Sequence, residues 1–339
     1  MLAGGAARFG RICSMSAIED AFLGQDFRAA KAWALAVAVA IAATQLASHA
    51  GLADVATSHY MQPKIDLLGT LVGAMLFGLG MALAGTCSFG LLVRAGGGDL
   101  RAGVTAMIVG ISAISFTAGV VAPVRLAIEG SGVIDLAAAG GPAVDRMIAT
   151  WLGQPVAALV AVAIVTALVL PAAIDTRLRR RPRLLIAAVV LGLAVSLGWA
   201  ITTAAVDELL LERTESLSFV APAGRALLQV MMSPFRNVGF GIAAMFGAIA
   251  ASFLVAALRR ELRWEAFDDP TEMRRHLAGG ALMGLGGVLA HGCTIGQGLS
   301  AASTLTISAV IFVAGALIGA RFGLWYLIDG AALWRLGNR

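Results

Sequence analysis

Two cysteines occupy matched places in this chain, in settings where a thiol can act on a solute. Cys87 stands in Leu83-Ala84-Gly85-Thr86-Cys87-Ser88-Phe89-Gly90, and Cys293 in Leu289-Ala290-His291-Gly292-Cys293-Thr294-Ile295-Gly296. A thiol is a weak donor and a soft acceptor, so it suits a sulfur-bearing solute better than an ordinary oxyanion. As a thiolate it can also exchange covalently. A lone cysteine in an apolar segment is ordinarily a small hydrophobe. Two at equivalent points of a repeat, each close behind a glycine and followed by a hydroxyl, are not accounted for by packing alone.

The repeat extends well upstream. With Cys87 laid on Cys293, the copies match without a gap at Gly73/Gly279, Leu76/Leu282, Gly78/Gly284, Gly80/Gly286, Leu83/Leu289 and Gly90/Gly296. Each copy is an apolar helix that stops at a glycine-containing turn and then resumes. Glycine permits backbone angles that other residues avoid. At membrane depth such open backbone is tolerated only in protein or against a cavity. The resumed half-helix begins with unpaired N–H groups and a dipole that favour an anion. Ser88 and Thr294 stand where N-caps or further donors would. The candidate binding residues are therefore Gly85, Thr86, Ser88 and Gly90 in the first turn, and His291, Gly292, Thr294, Gly296 and Gln297 in the second. His291 is expected to hydrogen-bond backbone near its turn.

Those turns need a membrane scaffold. The chain is 59% hydrophobic and 13% charged, with mean hydropathy +0.87, whereas a soluble domain carries roughly 25% charged residues. Its apolar runs show no strict alternation, which excludes a transmembrane barrel. At ~20 apolar residues per crossing, the expectation is an all-α polytopic membrane protein with about nine spans. Residues 1–29 read as an amphipathic segment holding one short helix, and 30–339 as a single transmembrane domain. The repeat copies lie around 66–124 and 277–322. No signal-peptide apolar region is visible at the N-terminus.

Net charge is +5, and the arginines gather between apolar runs rather than on a face with interleaved aromatics. That excludes a nucleic-acid surface and orients the chain. Loops 177–183 and 259–275 go to the cytoplasm by the positive-inside rule. Counting spans backward, the first copy enters from outside and the second from the cytoplasm. The expected architecture is thus two inverted-topology repeats with two broken helices, or re-entrant cysteine loops, meeting near the midplane.

Other chemistries fit less well. No CxxC occurs, which argues against a membrane thiol–disulfide oxidoreductase, the alternative from another class. A zinc set of Cys13, Cys87, Cys293 and His291 lacks any recognisable ligand spacing. No cofactor is implied, and no acidic pair lies within a span to relay protons. A transporter of an unrelated small solute, with the cysteines merely packing, is the remaining alternative.

At the cysteine turns the chain resembles the YeeE/YedE family of bacterial inner-membrane sulfur-compound transporters. The matching segments are Leu83–Gly90, Leu289–Ser300 and, more loosely, Gly10-Arg11-Ile12-Cys13 with Glu19 and Asp20 downstream. Thr86 and His291 stand where that family's pattern favours glycine. The resemblance implies uptake of thiosulfate by a non-enzymatic permease. Three cysteines, Cys13 now among them, would pass the ion along a narrow waist through S–H···S contacts. It also implies an hourglass-shaped monomer and a TusA-like sulfur carrier on the cytoplasmic side. Cys87 is expected at the outer approach or waist, Cys293 in the cytoplasm-entering copy, and Cys13 at an intermediate or inner point.

Overall fold

The computed structural model describes residues 1–129, 132–152, 155–205, 213–232 and 238–330. The acidic residues Asp207, Glu208 and Glu212, the Ser233-Pro234 break and the end of the last apolar stretch lie outside them.

The N-terminal segment forms two helices, not one: α1 (Leu2–Gly10) and α2 (Ser14–Phe22). Arg11, at φ 53°, breaks the chain between them. The small residues of α1 explain its position. Ala3, Ala6 and Ala7 are buried, and a Cβ on Gly4 would lie 2.6 Å from the Ala248 Cα. This contact presses α1 against the interior rather than laying it along a surface.

Seven helices follow to residue 174: α3 (Arg28–His49), α4 (Leu67–Ala84), α5 (Ser88–Gly96), α6 (Leu100–Ala118), α7 (Ala122–Glu129), α8 (Val144–Leu152) and α9 (Pro155–Ile174). The remainder comprises α10 (Thr176–Arg179), α11 (Pro182–Ala204), α12 (Val220–Met232), α13 (Phe240–Leu258), α14 (Pro270–Leu289) and α15 (Ile307–Trp325). A small antiparallel pair, β1 (Lys64–Asp66) and β2 (Val133–Asp135), sets Ile65 opposite Ile134. The caps follow from sequence. Asp66 accepts the Gly69 N–H at 2.9 Å to start α4, and Asp99 accepts the Ala102 N–H at 3.1 Å to start α6.

Among the described residues, six helical segments are long and apolar enough to cross a membrane, a shorter apolar helix covers Ala158–Ile174, and the protein is a multi-pass helical membrane protein. The sequence reading of about nine spans also counted the second repeat copy, and it counted a last short piece from Phe322 onward that here continues the segment Ile307–Asp329. Its helix α14 opens on the polar run Pro270–His276.

The two repeat helices α4 and α14 pack directly on each other, antiparallel. A Cβ on Gly73 would lie 2.7 Å from the Gly286 carbonyl oxygen, and one on Gly80 would lie 2.6 Å from that of Gly279. Gly73 matches Gly279 in the repeat, and Gly80 matches Gly286, so these two contacts are reciprocal. Beyond them, Gly78 packs on Ala316 and Ala320 of α15, while its counterpart Gly284 packs on Val109 and Ala113 of α6. In lipid there is little hydrophobic gain from bringing helices together. Small residues supply the association by admitting close backbone contact.

Candidate functional site

The first turn begins where α4 ends at Gly85, in the left-handed region at φ 66°. Thr86 follows, and Cys87 takes an extended conformation as the N-cap of α5. Its thiol accepts the Gly90 N–H at 3.3 Å. The second turn repeats this design. After α14, His291 occupies the same left-handed region at φ 55°, at the position matched to Gly85. Histidine is among the non-glycine residues that enter this region most readily. The Cys293 thiol accepts the Gly296 N–H at 3.4 Å, and an irregular helical turn, Gly296–Ala301, resumes.

The thiols therefore do the capping expected of the neighbouring hydroxyls. Ser88 Oγ and Thr294 Oγ1 are buried and have no hydrogen-bond partner. An unsatisfied buried polar group of this kind costs about 1–3 kcal/mol. The N–H groups of Ser88 and Phe89 lie in the first turn of α5, where no intrahelical acceptor exists. Each turn thus holds one buried hydroxyl for which the protein supplies no hydrogen-bond partner.

Tertiary structure adds Cys13. It is the N-cap residue of α2, and its thiol lies 3.4 Å from the Thr86 hydroxyl. The Cys13 thiol also adjoins that of Cys87, and Cys87 in turn has Ser14 and Thr294 beside it. Thr294 makes no well-formed hydrogen bond there. The two turns consequently meet at Cys87 and Thr294. Cys87 and Cys293 are buried, and Cys13 is half-buried. Phe89 stacks on Phe219 with ring centroids 4.7 Å apart, both rings buried. His291 stands apart from this group, exposed at the wall of a cavity. Among the described residues no cluster of three or more histidine, cysteine or acidic side chains has an arrangement that would hold a metal.

A cavity of about 270 Å³ opens beside the second turn, walled by His59, Tyr60, Lys64, His291, Gln297 and Ser308 among others. Gln297 does not project into open space as a free donor. Its Nε2 donates to the Ala290 carbonyl at 2.7 Å, and its Oε1 accepts from Ser308 Oγ at 3.3 Å. It braces the turn from within. His59 lies against the His291 backbone. Protein crowded around its imidazole, then the neighbouring His291, pushes its pKa down to about 4, while part of its surface still faces the cavity. Tyr60 and Ser218 crowd Gly296, where a Cβ would lie 3.1 Å from Tyr60 Oη and 2.9 Å from Ser218 Oγ.

His59, Tyr60, Ser218 and Ser308 were not singled out from sequence. They come from a loop and from segments outside the cysteine turns, and only His59 had a residue type worth noting. A second cavity, about 440 Å³, is walled by Arg8 of α1, Arg11, the Arg94–Arg101 turn and the Arg260–Glu265 segment, and its Arg94 donates to the Gly85 carbonyl of the first turn at 3.4 Å.

Comparison with known proteins identifies the family. A family profile described as sulphur transport matches residues 9–322. The thiosulfate transporter TsuA of Escherichia coli K12 is 26% identical over 339 residues, covering 93% of this chain and 89% of the relative. The protein of that name from Spirochaeta thermophila is 29% identical over 325 residues, covering 90% and 91%. The profile spans both cysteine turns and the Cys13 break, and by that match the chain belongs to the YeeE/YedE sulphur-transport family, as a transporter rather than an enzyme.

Proposed function

We propose that this protein is an inner-membrane permease that takes up thiosulfate, or a similar small sulfur anion, through a waist lined by Cys13, Cys87 and Cys293. One observation carries the reading. Two matched turns meet with buried, unpartnered hydroxyls, at Ser88 and Thr294, next to thiols. Thiosulfate has both parts such a site would recognise. Its terminal sulfur accepts S–H donation, and its oxygens accept from the hydroxyls and the free N–H groups of the half-helix starts. The relatives named as thiosulfate transporters support this choice of anion.

The two copies act as inverted repeats, as the reciprocal Gly73–Gly286 and Gly80–Gly279 contacts support. The order of the thiols then differs from the sequence expectation. A helix that enters from one face delivers its terminal turn toward the other. α4, with 18 residues at 1.5 Å each, carries Cys87 inward from the outer face, and α14 carries Cys293 outward. The anion passes from the outer cavity to Cys293, then Cys87, then Cys13. Loops 177–183 and 259–275 face the cytoplasm, where a TusA-like sulfur carrier receives the product.

Uptake of radiolabelled thiosulfate into proteoliposomes tests the reading. Cys87→Ala and Cys293→Ala are expected to abolish uptake while the protein still inserts and elutes normally. Wild-type rates in the Cys293→Ala variant would remove the thiol relay.

A further inference from the structure

The larger of these two cavities has a charge distribution that the waist does not require. Six arginines line it, at positions 8, 11, 94, 101, 260 and 263, against the three carboxylates of Asp99, Glu261 and Glu265. Three positive charges are left in excess. Pairing does not consume them evenly. Arg101 is taken up by Asp99, Glu265 and Glu272. Arg8 and Arg11 share the single carboxylate of Glu261, at 3.9 and 3.5 Å. Among the described residues no ion pair reaches Arg94, Arg260 or Arg263. One buried atom of Arg8, its Nε, has no hydrogen-bond partner.

This cavity is joined to the thiols. Arg94 donates to the Gly85 carbonyl at 3.4 Å, and Gly85 precedes the Thr86 that contacts Cys13. Arg11 lies two residues before Cys13 and lines the same wall. The outer cavity differs in sign. Its charged lining is Lys64 against Asp66 and Glu129, with His59 held neutral near pH 7. An anion crossing the waist therefore leaves a wall with no net positive charge and meets one with three. A membrane potential negative on the inner side opposes its inward passage. A cationic chamber just past the narrowest point lowers that barrier and holds the anion there.

We propose that the arginine cavity is a second anion-binding site, a release chamber for a small divalent oxyanion, centred on Arg94 and Arg263. The identity of the anion as thiosulfate and the chamber's place on the release side rest on the transport reading above; the anion site itself does not. The cavity is about 440 Å³, and its wall residue Arg94 reaches the Gly85 carbonyl, so the space suits a small oxyanion. Guanidinium forks favour oxyanions over halides.

Equilibrium dialysis of the full-length purified protein with radiolabelled thiosulfate is the test, read beside proteoliposome uptake. Wild type should bind two anions per chain. The double variant Arg94→Gln/Arg263→Gln should lose one, with affinity there falling by about tenfold or more, and should keep the other. The double variant Arg94→Lys/Arg263→Lys should recover part of the loss, which separates charge from misfolding. Cys293→Ala should keep the arginine-dependent site even when uptake is gone. A single wild-type site, or two sites that both survive Arg94→Gln/Arg263→Gln, would overturn the proposal. So would loss of co-purifying phosphatidylglycerol from that variant with thiosulfate stoichiometry unchanged, since the chamber would then be a lipid-headgroup site. Failure of the transport reading looks different: undiminished uptake in the cysteine variants, whatever the binding stoichiometry.

Discussion

The Cys13 thiol and the Thr86 hydroxyl stand 3.4 Å apart, although 73 positions separate them in sequence. The contact ties the break between α1 and α2 to the turn after α4. It also gives the Thr86 side chain a role that glycine could not fill. Thr86→Val keeps the shape and removes the hydroxyl. We expect uptake to fall by about fivefold, the equivalent of one hydrogen bond of about 1 kcal/mol, with Thr86→Ser near wild type. Initial uptake rates check this, and equal rates in Thr86→Val and wild type would deny the hydroxyl any part.

Ser88 and Thr294 offer a sharper separation of function from stability. Removing a hydroxyl that has no partner relieves a desolvation cost instead of breaking a bond. Ser88→Ala and Thr294→Ala should leave the Tm of the anion-free protein unchanged or slightly raised, while thiosulfate binding weakens by about tenfold. A fall in Tm with binding intact would mean that the hydroxyls are structural.

The glycine contacts between α4 and α14 should be intolerant of any side chain. A Cβ on Gly80 would meet the Gly279 carbonyl oxygen at 2.6 Å and the Met283 nitrogen at 2.8 Å, both backbone atoms that cannot rotate away. Gly80→Ala should cost about 1–3 kcal/mol of stability, and the reciprocal Gly286→Ala a similar amount. Thermal unfolding in detergent measures both. Gly298, with nothing within 4 Å of its would-be Cβ, is the tolerant control.

His59 sets a dependence on acid. Its folded-state pKa, near 4, lies below the usual 6.5, so between those values the unfolded chain binds the proton more readily. Stability from this group is complete above about pH 6.5 and is lost as pH falls toward 4. The loss is reduced by solvent on the exposed part of the ring. Tm should therefore fall between pH 7 and pH 4.5, and fall less in His59→Gln. Identical slopes in the two proteins would exclude the imidazole as the cause.

Much of this protein is legible in one dimension, and the reason is the membrane. Long apolar runs without alternation must be helices, because only helices and closed barrels satisfy their backbone without water, and barrel strands alternate. The repeat marks two equivalent turns because glycine and thiol recur at one spacing, and both copies break there; that each sulfur, rather than the hydroxyl beside it, takes the N–H of residue i+3 emerges only from the folded structure. The left-handed angle at His291 was hidden because the residue type does not announce it; only the match to Gly85 points there. What the sequence by itself determined was the helical class, the two cysteine turns and the match between them. Tertiary structure alone decided which groups meet. It brought Cys13 to Thr86 and Cys87, set Thr294 beside Cys87, left the Ser88 and Thr294 hydroxyls of the two turns unpaired, and gathered arginines from three separate segments into one cavity. Those juxtapositions depend on helix packing angles and on backbone approach at the glycines. A linear pattern of residue types cannot encode such distances one by one.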